Sequence, residues 1–256
     1  MPQTPIELPL AEFPAILARL REQHQKAPLV AKQTQSEGPY KPRVYVAGSS
    51  GEPTQMLATL FDEADNGKRA SAAANLHFCQ FPLPGLNLFD FTSLTESTEQ
   101  SVFFMSAALK NAAAERLHYV PIHMRRVFDY LLENPVDIAL LQVAADRDGT
   151  LRFAANADFI AAACAHPKTT VVASLNTGFL APTGAPAAER IDYLLTGASL
   201  VPAFPGAVAG GGATPVSGAD GRAPIVAAKA AALSHAEGRL VRWEEVDVAK
   251  WVAGAL

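Results

Sequence analysis

The sequence predicts an α/β fold, a mostly parallel sheet with helices on both faces, and three observations carry that expectation. Short apolar runs alternate along the chain with stretches of helical spacing. One run, Ile138-Ala139-Leu140-Leu141-Gln142-Val143, is almost continuously apolar, as strands covered on both faces are. A third segment, Val44-Tyr45-Val46-Ala47, passes through Gly48-Ser49-Ser50-Gly51-Glu52-Pro53 straight into a helical pattern. That is the strand, turn and helix of a βαβ unit.

Taken in order, the spacing predicts an amphipathic helix over Leu10–Glu22, the strand Val44–Ala47, and a helix after Pro53 with Met56, Leu57, Leu60, Phe61 and Ala64 on one side. Proline suits a first helical position because the N–H it lacks would go unused there. Strands are expected at Ala72–Cys79 and Val102–Met105, then an alanine-rich helix at Ala107–Glu115 and a short strand at Tyr119–Ile122. Met124, Val127, Phe128, Leu131 and Leu132 mark one face of a helix that Pro135 ends. After the strand at Ile138–Val143, Asn156 is expected to cap a helix carrying Phe159, Ile160 and Ala163. Strands at Thr169–Leu175 and Ile191–Leu194 complete the pattern.

The segment 1–40 is expected to lead into an α/β domain over 41–204. Within Pro205–Pro224, fourteen of twenty residues are Gly, Pro or Ala and no apolar period survives, so 205–224 reads as a linker. A helical tail is expected over 225–256.

Composition narrows the function. At 49% hydrophobic and 18% charged residues the chain is ordinarily globular. A net charge of -4 gives no footprint for nucleic acid or an anionic membrane. Met1–Glu7 lacks the basic and apolar regions of a signal peptide, and no apolar run reaches membrane-spanning length, which together point to the cytoplasm. Cys79 and Cys164 stand outside any CxxC or Cys/His cluster, and the six histidines form no HxH, HxxxH or HExxH pair, so no metal site is expected.

The loop Gly48–Pro53 is the leading local candidate. A turn between a parallel strand and a helix lies at the sheet's carboxyl edge, where such folds bind ligands. Backbone N–H groups left free there would favour an anion or a developing oxyanion. An ordinary tight turn is the other interpretation, and Glu52 is expected to be a partner of the helix dipole. As a pocket wall, Gly51 should accept valine at the expense of ligand binding rather than stability. Gln142, near the end of a buried strand, must be hydrogen-bonded, either to a neighbouring loop or to substrate. Asn176 follows a strand and is either a turn former or a ligand contact. His123 is held in reserve as a pocket residue. Ser49 and Ser50 lack a nucleophile-elbow pattern, and Asp146-Arg147-Asp148-Gly149 reads as a solvated turn.

Five segments in sequence carry a family resemblance. They are Val44–Gly48 with Pro53 and Leu57, Tyr119-Val120-Pro121-Ile122-His123 opening a helix, Val136–Val143, Val171-Val172-Ala173 through Asn176, and Ile191-Asp192-Tyr193-Leu194. Over residues 40–204 their order resembles the N-terminal domain of the acetyl-CoA hydrolase/transferase family. The resemblance implies a CoA-transferase N-terminal-domain-like fold and coenzyme A as substrate, with no bound cofactor. The implied partners are an acyl-CoA, a small carboxylic acid, and a second subunit or a homo-oligomer. In that family a glutamate carboxylate attacks the thioester to give a mixed anhydride and CoA thiolate. The thiolate then forms an enzyme–CoA thioester that passes CoA to the acceptor. Gly48, Gly51 and Pro53 would shape the pocket wall, and Gln142 and Asn176 would face the acyl group. Ala144–Gly149 and Thr177–Pro182 depart from the family's loops. The nucleophilic glutamate belongs to a second family domain with no counterpart in Ile225–Leu256, so the catalytic residue is unknown here. Two other readings remain: a truncated family member, and a non-catalytic α/β binding or regulatory domain.

Overall fold

The computed structural model describes residues 4–29, 40–62, 67–153, 156–181 and 184–199, all within one compact unit, residues 1–200. The expected linker at 205–224 and tail at 225–256 lie outside the described residues.

Alternation within the central strand builds the two-faced core. In β2 (Arg43–Val46), Val44 and Val46 point to one side of the sheet and Tyr45 to the other. On the first side they meet Phe13, Leu17 and Leu20 of α1 (Phe13–Lys26) and Met56 and Leu57 of α2 (Thr54–Ala58). On the second, Tyr45 meets Val127 and Leu131 of α3 (Met124–Glu133) and Ile160 and Ala163 of α4 (Ile160–Ala163). Helices therefore cover both faces, as expected.

The remaining strands are β1 (Ile6–Pro9), β3 (His77–Gln80), β4 (Glu99–Val102), β5 (Leu117–Tyr119), β6 (Ile138–Ala145), β7 (Leu151–Phe153), β8 (Thr170–Asn176) and β9 (Tyr193–Ala198). They form one sheet in the order β1-β9-β8-β6-β2-β3-β4-β5, with β7 pairing antiparallel to β6 and every other pair parallel. The chain steps from β2 outward through β3, β4 and β5, then returns to lay β6 on β2's other side. The α2 that follows β2 packs on one face and the α4 that follows the β6–β7 hairpin packs on the other. The topological switch point of this sheet thus lies between β2 and β6.

Several elements differ from expectation. The Ala72–Cys79 strand starts only at His77, because 70–73 form a 3-10 turn whose Ser71 carbonyl accepts Arg21 Nη1 at 2.9 Å. The next strand is Glu99–Val102 rather than Val102–Met105, since pairing with β3 sets its register. At Ala107 the alanine-rich segment makes one 3-10 turn over 107–109, lacking the apolar face a longer helix needs. Strand β1 and helix α1, both from the leading segment, join the same sheet and core. Asn156 does not cap α4. Its Oδ1 accepts the Asp158 N–H at 3.1 Å in an Asx turn, and the helix starts at Ile160. No helix among the described residues is long and apolar enough to cross a membrane.

Candidate active site at the carboxyl edge

The Gly48–Pro53 loop leaves β2 at the switch point and is held from both sides. Gly48 N–H donates to Asp158 Oδ2 at 2.9 Å, and the Tyr45 hydroxyl donates to the same oxygen at 2.7 Å. Across the loop, Ser49 N–H donates to Asn87 Oδ1 at 2.9 Å while Asn87 Nδ2 returns a bond to the Ser49 carbonyl at 3.0 Å. Ser49 adopts a φ of 53°, a left-handed conformation unusual for a residue with a Cβ. Gly51 and Glu52 N–H groups close a 3-10 turn onto the Gly48 and Ser49 carbonyls. This corrects the anion-cradle expectation: the N–H groups of Gly48, Ser49, Gly51 and Glu52 are committed within the protein.

Gly48 and Gly51 are required by close approach. A Cβ at Gly48 would run into the Phe81 carbonyl, and one at Gly51 would lie 2.7 Å from the Asn156 carbonyl oxygen. Gly51 therefore packs against neighbouring backbone, so the expectation that valine would merely fill a cleft fails. Pro53 is buried and occupies the N-cap of α2 rather than its first turn, without a side-chain capping bond.

Glu52 is the distinctive group of the loop. It is 4% exposed, and its Oε1 accepts from Gln80 Nε2 at 2.8 Å while its Oε2 accepts from the Thr54 hydroxyl at 3.2 Å. Burial outweighs the hydrogen bonds from Gln80, Thr54 and Asn87 and pushes its carboxyl up to about 7. Rather than serving the dipole of the five-residue α2, this carboxyl faces the amide of a neighbouring strand. The Gln80 Oε1 atom is buried with no hydrogen-bond partner among the described residues. A carboxyl group poised near neutrality can give or take a proton at working pH, which ordinary glutamates cannot.

Gln142 and Asn176 come together one and two strands away. Asn176 Nδ2 donates to Gln142 Oε1 at 2.7 Å, and Asn176 Oδ1 accepts the Gly178 N–H at 2.9 Å, just past an irregularity in the β8–β9 pairing. Both are buried, at 5% and 1% exposure. Strand alternation places Gln80 with Phe78, and Gln142 with Leu140, on the α2 face. Gln80 thus ends β3 bonded to Glu52, while the buried Gln142–Asn176 pair joins the interior of β6 to the end of β8. His123 opens α3 beyond the edge strand β5, three strands from β2, and is not brought to this loop. The Asp146 turn is not simply solvated: Asp146 is 3% exposed and pairs with Arg152.

Asp158, Asn87 and Gln80 escaped the sequence reading. Each lies in a loop or at a strand end without a motif, and only the fold shows that Asp158 and Asn87 grip one turn from opposite sides. Burial also raises the Asp158 carboxyl above its ordinary range, opposed by its bonds from Tyr45 and Gly48.

No family model and no curated protein matches this chain. Among solved structures, RipA from Yersinia pestis matches at 15% identity with a TM-score of 0.49, over 72% of this chain and 45% of its own. A 4-hydroxybutyrate CoA-transferase from Porphyromonas gingivalis matches at 14% identity with a TM-score of 0.41, over 75% of this chain and 39% of its own. The chain spans less than half the length of either protein, and its α/β class rests on the strand order and register described above.

Proposed function

We propose that this chain is one half of a CoA-transferase or acyl-CoA hydrolase, binding an acyl-CoA thioester at the carboxyl edge beside Glu52. The observation that carries the reading is Glu52 itself, a carboxyl pushed up to about 7 at the switch point of a parallel sheet. Gln80 bonds it, Gln142 lies with Gln80 on the α2 face and pairs with Asn176, and the ordered resemblance of residues 40–204 supplies the chemistry. In this reading Gln142 and Asn176 exchange part of their mutual bonding for the acyl carbonyl, and Glu52 handles a proton rather than attacking the thioester. The nucleophilic glutamate comes from a second domain or subunit, and the acceptor is a small carboxylic acid.

The satisfied N–H groups of the loop favour one other reading, a non-catalytic α/β binding or regulatory domain. Acetyl-CoA separates the two. Titrated calorimetrically into the full chain, it should bind with a Kd of roughly millimolar or tighter, and Gln142→Ala should weaken it severalfold. The chain alone should neither hydrolyse acetyl-CoA nor exchange CoA with acetate or butyrate. Binding without turnover, sensitive to Gln142, supports the proposal. Absence of binding, or turnover accompanied by a borohydride-reduced glutamate on this chain, removes it.

A further inference from the structure

The opposite edge of the sheet gathers a second set of ligand-type side chains. His77 starts β3, Glu99 starts β4 and sits directly beside it in register, and His118 lies on β5 opposite Ser101. All three project from one face of three adjacent strands. Glu99 Oε2 lies 3.4 Å from His77 Nδ1 and 3.4 Å from His118 Nε2, and the ligand atoms of the trio fall within 4.8 Å of one another. Two of the three groups are also oriented from behind. His77 Nε2 bonds the Ser101 hydroxyl at 2.7 Å, and Lys41 Nζ takes the other carboxylate oxygen, Glu99 Oε1, at 2.6 Å. Ser101 thus leaves Nδ1 as the ring atom turned toward Glu99, and Lys41 leaves Oε2 to both rings.

We infer that His77, Glu99 and His118 form a binding site for one divalent transition-metal ion of the zinc, cobalt and nickel group. Around a tetrahedral ion with bonds near 2.1 Å, neighbouring ligand atoms stand about 3.4 Å apart, which is the spacing Glu99 Oε2 makes to each imidazole. Two imidazoles and one carboxylate suit these ions, whereas calcium and magnesium want more oxygen. The Lys41 ammonium on Glu99 and the Arg43 charge beside His77 oppose any cation here, so affinity must come from the imidazole bonds. Outer partners such as Ser101 and Lys41 hold first ligands in place in known metal centres. His118 is the most exposed of the three, with 44% of its side chain open, so an ion can enter from solvent and keep a water as fourth ligand. Sequence spacing could not reveal this trio, because its members come from three different strands.

The test uses the full chain freed of metal with a chelator. Cobalt(II) is titrated while visible absorption is followed, and zinc(II) is titrated in competition with a chromophoric chelator. One equivalent should bind, with the intense d–d bands of tetrahedral cobalt. Outer-partner changes alone cost 10–100-fold in affinity, so His118→Ala and Glu99→Gln should each lose roughly tenfold or more. His123→Ala, which removes an exposed histidine elsewhere, should lose nothing. His118→Ala decides the matter, because its exposed ring leaves the thermal midpoint unchanged. Less than a tenth of an equivalent bound at about 100 µM zinc, or equal affinity in His118→Ala, overturns the site.

Discussion

Replacing Glu52 by glutamine should change the pH dependence of stability in a way that no surface carboxyl can mimic. Its carboxyl titrates at about 7 in the folded chain against 4.5 in the open one. Between those values the folded state holds a proton that the unfolded state has released, so stability falls as pH rises through this window. Below 4.5 both states are protonated and no penalty exists, and above 7 the penalty is complete. Each pKa unit is worth 1.36 kcal/mol, which makes the full penalty on the order of 3 kcal/mol. Glutamine keeps the shape, never ionises, and can donate to the Gln80 Oε1 that has no partner among the described residues.

Urea unfolding followed by circular dichroism at pH 4.5, 6 and 8 reads this directly. The stability of Glu52→Gln relative to the parent should grow by roughly 2–3 kcal/mol from the lowest to the highest pH. For a chain of this size that corresponds to a relative gain in thermal midpoint of about 4–12 °C. A difference that stays flat across the series would show that the carboxyl titrates normally. The loop would then be open to water, and the basis for a proton-handling residue at the switch point would be gone.

The parts of the fold legible in sequence were those where burial on both faces leaves no ambiguity. Ile138–Val143 is such a strand and stands where expected. The helix from Met124 also does, but on its period alone, since of its apolar stripe only Val127 and Leu131 are buried while Met124, Phe128 and Leu132 are exposed. Other elements were misplaced because their residues do not report their setting. In β4 the polar Glu99, Gln100 and Ser101 conceal a strand whose register comes from β3. β1 is four residues long and draws its pairing from β9, nearly the whole described unit away in sequence. The candidate site shows the same division. The loop was visible because strand, glycine and proline punctuate it, yet its hydrogen-bond state was not. The partners that consume its N–H groups, Asn87 and Asp158, lie 38 and 110 residues further on. Gln142 was legible as a buried amide and Asn176 as a turn former or ligand contact after a strand, but only the parallel β6–β8 pairing shows that Asn176 donates to Gln142.

Two further substitutions test the clamp on the loop. Tyr45→Phe removes the donor to Asp158 and the acceptor of the Phe159 N–H, bonded at 2.7 and 3.3 Å, in a fully buried setting. It should cost about 1–3 kcal/mol in urea unfolding and move the Asp158 carboxyl still higher by NMR titration; a neutral outcome on both counts would mean that the clamp is not formed. Gly51→Ala probes the opposite wall. Its φ is not left-handed, so the glycine is required there by contact and not by conformation. The added methyl would stand 2.7 Å from the Asn156 carbonyl oxygen, a backbone atom that cannot swing aside as a side-chain tip can. Either the 48–53 turn or the 156–158 turn must shift, at a cost of about 1–3 kcal/mol. Because the Gly48 N–H ties these two turns through Asp158, that shift should also speed amide exchange at Gly48. An alanine variant with the parent's stability and exchange rates would show that the two turns do not touch, and that the space beside Gly51 is a cleft after all.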